Sequence, residues 1–192
     1  MSRRRYVALA LTTVMLALTA CSAGGGGRTP LCVNADDSVF VLLAQSVPSA
    51  TELPCVSEFP VGWTFGGSDI SRGLSRFWLD SDRGGIHAVE VSLRRACDTT
   101  GAVEERPAPD EAGTQVFVRP DSLEPSFTGT RFLLFGGGCI AYTFHFSSGA
   151  PSTLAIEAVE ALSLLPRATI VADVAKDPGL ILCGAGAPPC AG

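Results

Sequence analysis

Lysine is scarce in this chain of 192 residues, in which Lys176 is the single copy and the formal net charge is −5 at pH 7. Nucleic-acid binding and electrostatic attachment to anionic lipid both require clustered cations. We therefore expect no nucleic-acid partner and no polybasic contact with a membrane.

Histidine is almost as rare, since His87 and His145 are the only two copies. Both fall in predicted strands, where alternation places His87 on the same face as Val89 and Val91. By the same alternation, His145 lies opposite Phe144. No spacing brings the histidines together with carboxylates, and no Cys-x-x-Cys pair is present to bind zinc. We accordingly assign no catalytic residue, no metal ligand and no cofactor.

Sequence signatures of other common sites are also missing. Asp69, Asp80 and Asp82 could offer oxygen ligands to calcium, but the acidic EF-hand loop is absent and a hairpin turn accounts for the last two. Residues 66–69 lack a glycine that a nucleophile elbow needs, and residues 136–138 lack the Lys-Ser/Thr of a phosphate loop. A catalytic triad assembled only in space would leave no such signature, so a hydrolase stays an alternative.

The N-terminus contains a targeting signal. Three arginines at residues 3–5 precede an apolar stretch that ends in small residues and Cys21. This pattern is typical of a secretory signal and is short for a membrane span. Residues 18–21 match a lipobox, in which the cysteine is diacylated and becomes the new N-terminus. We expect a cleaved signal peptide over 1–20, a lipid on Cys21 and a Gly-rich tether over 21–30.

The signal leaves the export route open. Residues 2–7 also fit a twin-arginine motif, which implies folding before export, whereas the cysteines indicate oxidation after export. An ordinary secretory peptide or an N-terminal transmembrane helix is the remaining alternative. A lipid on Cys21 would hold the domain at the extracytoplasmic face of the cell membrane, with a net charge of about −8 after the signal is removed.

The chain has seven cysteines, and setting Cys21 aside leaves an even number. An even number outside the cytoplasm indicates disulfides, although the sequence leaves many pairings open. Each closed loop would stabilise the fold by roughly 2.5 to 4 kcal/mol. The simplest scheme is sequential and pairs Cys32 with Cys55, Cys97 with Cys139, and Cys183 with Cys190.

Hydrophobic periodicity predicts one α+β domain over 31–192, stabilised by disulfides. Alternation over residues 63–146 indicates a single antiparallel sheet of about five to seven strands, with a hairpin turn at residues 80–85. Helical spacing predicts helices over 36–46 and 152–165, packed on one face of the sheet. A strand is the alternative to the first helix, because its residues are rich in β-formers.

The remaining segments are expected to be less regular. We predict an extended connector over 48–60 and a solvated acidic loop over 97–113, from their prolines and charges. Short strands are predicted over 168–174 and 179–183. The final segment, 184–192, is expected to be a tail tied back through Cys190.

Both alternating sets of residues 132–135 are apolar, so the predicted sheet has surplus apolar surface. The first helix and the 48–60 connector would cover this surface in the simpler interpretation. Otherwise it forms a groove for an apolar ligand or a partner.

The lipobox, the Gly-rich tether and a composition poor in lysine but rich in arginine and alanine resemble uncharacterised lipoproteins of high-GC bacteria. Residues 47–55 and 137–139 are also similar to stretches from that group. The resemblance implies a lipid anchor and no known activity. The leading hypothesis is a non-enzymatic, membrane-tethered domain that binds a protein partner or an apolar envelope ligand, and the alternative is an envelope-directed hydrolase.

Overall fold

The computed structural model describes residues 27–34, 38–122, 126–177 and 181–185. The predicted signal peptide, Cys21 and Cys190 lie outside the described residues, as does most of the predicted tether. Within the described residues, the chain forms nine β-strands and three α-helices.

The element bounds follow the chain. The helices are α1 (Ser38–Ser46), α2 (Leu154–Ala161) and α3 (Arg167–Val174), and short 3-10 turns occupy Cys32–Asn34 and Pro109–Glu111. The strands are β1 (Glu52–Val56), β2 (Trp63–Ser71), β3 (Leu74–Ser81), β4 (Gly85–Arg94), β5 (Val103–Glu105), β6 (Gln115–Ser122), β7 (Thr128–Phe135), β8 (Gly138–His145) and β9 (Leu162–Pro166).

Seven strands form one antiparallel sheet in the order β2-β3-β4-β8-β7-β6-β5. The expected antiparallel sheet with packed helices is therefore confirmed in outline, although the helices number three among the described residues. The predicted hairpin turn joins β3 to β4, where Ser81 pairs with Gly85. Glycines 136 and 137 form the turn between β7 and β8.

One side of this sheet, which we call the inner face, carries the main core. Phe77, Val91 and Tyr142 are cross-strand neighbours on β3, β4 and β8, and all three are buried. Helix α1 and strand β1 pack against this face. Removing these apolar side chains from water is the main force that holds the layers together.

A separate two-stranded sheet corrects two of the expectations. Strand β1 lies within the predicted 48–60 connector and pairs antiparallel with β9, so that Leu53 is opposite Leu165. The predicted helix over 152–165 ends at Ala161, because the next residues pair with β1 instead of continuing the helix. A short apolar segment such as this one fits a helix or a strand by its sequence pattern. Hydrogen bonding of its backbone to β1 decides in favour of the strand.

The predicted strand over 168–174 is wrong. These residues belong to α3, whose buried residues Arg167, Ile170 and Val174 follow helical spacing. The run of β-branched residues suggested a strand, but that propensity is weak beside tertiary packing. Residues 181–183 form no strand, and the rest of the predicted 179–183 strand and most of the 184–192 tail lie outside the described residues.

Helix α1 confirms the first predicted helix and ends where Pro48 removes a backbone donor. The carbonyl of Ala44 would normally accept a bond from the N–H of residue 48, which proline lacks. Nη1 of the buried Arg167 donates to that carbonyl at 2.6 Å, and its Nη2 donates to the carbonyl of Cys183. Burial lowers the pKa of Arg167 from its ordinary value. This guanidinium joins α1, α3 and the C-terminal segment.

The opposite side of the large sheet, which we call the outer face, has a small core of its own. Phe132, Cys139 and Ala141 are buried there beneath the segment 95–102. The surplus apolar residues of β7 are thus divided between the two faces, since Phe132 lies in the outer core and Leu133 in the inner core. The expected cover from α1 and the 48–60 segment therefore accounts only for the inner face.

Disulfides attach two peripheral segments to the sheets. Cys32 is bonded to Cys55 and Cys97 to Cys139, which are the first two pairs of the sequential scheme. Cys183 is also disulfide-bonded. Its expected partner lies outside the described residues, so the third pair stays a prediction.

Candidate ligand-binding groove

An open groove of about 410 Å³ lies between α2 and the large sheet near β6 and β8. Its apolar walls come from the helix on one side and from the sheet and the segment preceding β7 on the other. The apolar residues are Val118, Phe127, Phe144, Ala155, Ile156 and Val159.

The groove exists because α2 is apolar on more than the side that it buries. Leu154 and Ala158 face the core, whereas Ile156 is 61 % exposed. Ala155 and Val159 are half-buried, one helical turn apart on the edge that faces the groove. Helix α2 therefore presents a second apolar edge that the rest of the described chain leaves partly uncovered.

Glu157 fixes the position of α2 against the sheet. Its carboxylate accepts hydrogen bonds from both terminal nitrogens of Arg83, at 3.2 and 2.5 Å, and from Trp63 Nε1 at 3.3 Å. The Arg83 guanidinium, and to a smaller extent the Trp63 indole, lowers the pKa of Glu157 from its ordinary value. These contacts hold α2 to β2 and to the β3–β4 turn.

An ion-pair network, half-exposed at Glu105 and buried at Glu111, lies at the polar end of the groove. Arg131 Nη2 donates to Glu111 Oε2 at 2.8 Å, and its Nη1 donates to Glu105 Oε2 at 2.9 Å. The side chains of Arg131 and Glu111 are only 12 % and 7 % exposed. Glu111 also accepts a bond from the backbone N–H of Ala108 at 2.9 Å. In such a network each charge is compensated by hydrogen bonds to a partner of opposite sign.

Most of the expected acidic loop over 97–113 is exposed, as predicted, but this network anchors it at Glu111. The segment contains β5 and a 3-10 turn, and Glu111 anchors it to β7. Reasoning from the sequence missed Arg131 and Glu111 as partners, because they are 20 residues apart with no spacing rule to connect them. Only the pairing of β6 with β7 brings them together.

The groove has an acidic rim. Arg131 and Glu105, which are paired, line the groove, and Glu160 of α2 adds a second carboxylate to its lining. The excess of negative charge favours ligand groups that are cationic or that donate hydrogen bonds. An apolar body would lie against the walls, with its polar end toward these carboxylates.

The two histidines do not line this groove. His145 is exposed at the end of β8 next to the buried Phe144, as alternation predicts. His87 is exposed and stacks on Trp78, with ring centroids 4.9 Å apart.

The prediction that His87 shares a face with Val89 and Val91 is wrong. Those two valines are buried in the inner core, whereas His87 lies on the outer face beside Trp78. The backbone of His87 has a φ of 52°, and the β3–β4 register shifts just beyond Leu79. A left-handed residue at a bulge interrupts the alternation on which the prediction depended.

The three aspartates that could have bound calcium have protein partners instead. Asp69 pairs with Arg76 at 2.8 Å, and Asp82 lies 3.7 Å from Arg83. Asp80 Oδ1 accepts the backbone N–H of His87 at 2.7 Å. Within the described ranges, no group of three or more His, Cys, Asp or Glu side chains is arranged to hold a metal ion.

Together these features define a disulfide-stabilised α+β domain with an apolar groove between a helix and a sheet. Comparison with protein-family models, curated proteins and solved structures found no match for this chain. Among the described residues, no helix is both long and apolar enough to cross a membrane.

Proposed function

We propose that this protein is a lipid-anchored extracytoplasmic lipoprotein whose domain binds a small apolar ligand with a cationic or hydrogen-bond-donating end. The groove beneath α2 is the observation that carries this proposal. Its size, about 410 Å³, lies within the range of roughly 300 to 1,000 Å³ that is typical of small-molecule sites.

The apolar walls supply the affinity in this proposal. Burying apolar surface contributes about 25 cal/mol per Å² removed from water. Ile156 and Val159 on the helix face Val118 and Phe144 on the sheet, so a flat or chain-like ligand would contact both walls.

The polar end supplies the selectivity. Glu105 is half-exposed and Glu160 is exposed, so both can accept hydrogen bonds from a ligand. An anionic end group at this point would be repelled by the same carboxylates.

The proposed location depends on the N-terminal pattern and on the disulfides. Two bonds within the described residues suit an oxidising compartment outside the cytoplasm. A lipid on Cys21 would hold the domain at the membrane through the tether.

A matched pair of fluorescent probes tests the groove. N-phenylnaphthylamine is neutral and apolar, and anilinonaphthalene sulfonate adds a sulfonate to almost the same ring system. We expect the neutral probe to bind at least about tenfold more tightly, a difference of about 1.4 kcal/mol. Equal affinity for the two probes, or no binding of either, would contradict the proposal.

Two alanine-to-tryptophan variants locate the probe. Ala155→Trp places a large ring in the groove and should abolish probe binding, whereas Ala172→Trp on the exposed side of α3 should leave it unchanged. Thermal melts of both variants confirm that they are folded. Probe binding that survives Ala155→Trp in a folded variant would contradict the groove as the binding site. A protein partner that docks on α2 would then be the better explanation of the exposed apolar edge of this helix.

A further inference from the structure

A second cavity, of about 330 Å³, opens on the outer face of the sheet, away from the groove beneath α2. The strands β4, β8 and β7 form its floor, and the segment 95–102 forms one wall. The Cys97–Cys139 disulfide attaches that wall covalently to β8.

The floor of this outer cavity carries three hydroxyl groups. Thr143 of β8 is the cross-strand neighbour of Thr130 of β7, and Ser92 of β4 lies one row away. Ser92 and Thr130 are only 2 % and 5 % exposed, and both line the cavity. Each hydroxyl can donate one hydrogen bond and accept others.

Charged side chains of both signs stand at the rim. Arg94 follows Ser92 on the same face of β4, and it takes part in none of the salt bridges within the described residues. Arg119 is paired with Asp121 at 3.2 Å and lies over the Phe132 ring at 5.3 Å.

Asp98 supplies the acceptor at this rim. Its Oδ1 accepts the backbone N–H of Thr100 at 2.9 Å. The hydrogen bonds from Thr100, helped by the charge of Arg119, lower the pKa of Asp98. The rim therefore offers hydrogen-bond donors on Arg94 and acceptors on Asp98. The single positive and negative charges of these two side chains cancel.

This combination fits a neutral, hydroxyl-rich ligand better than an ion. Because the charges at the rim cancel, they favour neither a cation nor an anion, whereas sugar hydroxyls can donate to Asp98 and accept from Arg94 at the same time. The same face continues through Glu90 to Trp78, whose Nε1 donates to Glu90 Oε2 at 3.1 Å. We propose that the outer cavity binds a carbohydrate of one or two rings, held by Arg94, Asp98 and the Ser92, Thr130 and Thr143 hydroxyls.

Nuclear magnetic resonance titration of the oxidised domain tests this site. The probes are trehalose, mannobiose and the disaccharide of N-acetylglucosamine, each raised to tens of millimolar, with inorganic phosphate as the ionic alternative. We expect at least one sugar to shift the amide signals of Ser92, Thr130 and Thr143 and to leave those of α2 unchanged. No shift with any of the three sugars, or shifts confined to other regions, would overturn the proposal.

Variants separate a sugar from an anion. Arg94→Ala should weaken sugar binding by about tenfold, as expected for the loss of a charged hydrogen bond, whereas Arg72→Ala in the β2–β3 turn should not change it. Asp98→Asn should weaken a sugar, because an amide is a poorer acceptor, but it should tighten phosphate by removing a repulsive charge. Tighter phosphate binding in Asp98→Asn, together with unchanged sugar titrations, would assign the cavity to an anion instead.

Discussion

At the scale of single residues, close backbone approaches determine which side chains this fold accepts. Gly137, in the β7–β8 turn, has a φ of 73°, and a Cβ added there would lie 2.0 Å from the carbonyl oxygen of Ser49. The Ser49 hydroxyl donates to the Gly137 carbonyl at 2.6 Å, and the Thr51 hydroxyl donates to that of Gly136 at 2.9 Å. The turn thus packs on the segment that leads into β1.

Alanine substitutions at Gly149 and Gly137 should separate the energetic cost of backbone strain from that of a steric clash. Gly149→Ala introduces left-handed strain in open space and should lower the free energy of unfolding by about 1 kcal/mol. Gly137→Ala adds the clash with Ser49 and should cost about 1–3 kcal/mol more. Denaturant melts measure both values, and equal losses would show that the turn is not held against Ser49.

Residue-scale predictions from the sequence succeeded where the backbone is regular. Alternation correctly placed His145 on the face opposite Phe144, and the structure buries Phe144 and exposes His145. It failed at His87, because a left-handed backbone at a bulge changes which face the side chain meets. A positive φ is uncommon for any residue other than glycine, so no pattern in the sequence predicted it at His87.

At the scale of secondary structure, helix α2 depends on one carboxylate for its position. Glu157 lies between Arg83 and Trp63, and its lowered pKa reflects the bonds that favour the ionised form. Ionisation therefore contributes stability above the ordinary pKa of 4.5, and this contribution is lost as the pH falls through the lower folded value.

A glutamine in place of this glutamate should change the response to acid. We expect Glu157→Gln to unfold at a lower temperature than the parent at neutral pH, and we expect the difference to shrink as the pH falls below the ordinary pKa of 4.5 and through the lowered folded pKa of Glu157. Glu160→Gln, which alters an exposed neighbour on the same helix, is the control and should have little effect. A difference in unfolding temperature that stays constant across the pH range would show that the contacts from Arg83 and Trp63 do not depend on the charge of Glu157.

The limits of prediction at this scale appear in the chain after α2. Leu162–Pro166 can continue a helix or form a strand, and α3 contains β-branched residues that suggested a strand. In both places the outcome depends on partners distant in the sequence, namely β1 for the strand and the core around α1 for the helix. Local propensity is too weak to decide such cases.

At the scale of the whole molecule, the proposed anchor and the folded domain are separable. The described core and both described disulfides are formed within residues 31–182, and the proposed lipid site at Cys21 precedes them. We therefore expect a change at Cys21 to alter location without altering this fold.

Replacement of the lipobox cysteine tests the anchor. We expect Cys21→Ala to leave the chain unacylated, either unprocessed or released into a soluble fraction, whereas Ser22→Ala should remain lipidated at the membrane. Fractionation followed by mass spectrometry of the N-terminal peptide measures the outcome. Diacyl mass on the Cys21→Ala chain, or its absence from the parent, would contradict the proposed lipidation.

Local periodicity and turn chemistry were enough to predict the antiparallel sheet over 63–146, the hairpin at 80–85 and an α+β class. The β1–β9 pairing, the helical state of α3, the small outer core and both cavities depend on how the layers pack. The same holds for the Arg131–Glu111 pair and for the bond from Arg167 to Ala44. Each of these features joins residues far apart along the chain, and their meeting is a property of the packed layers.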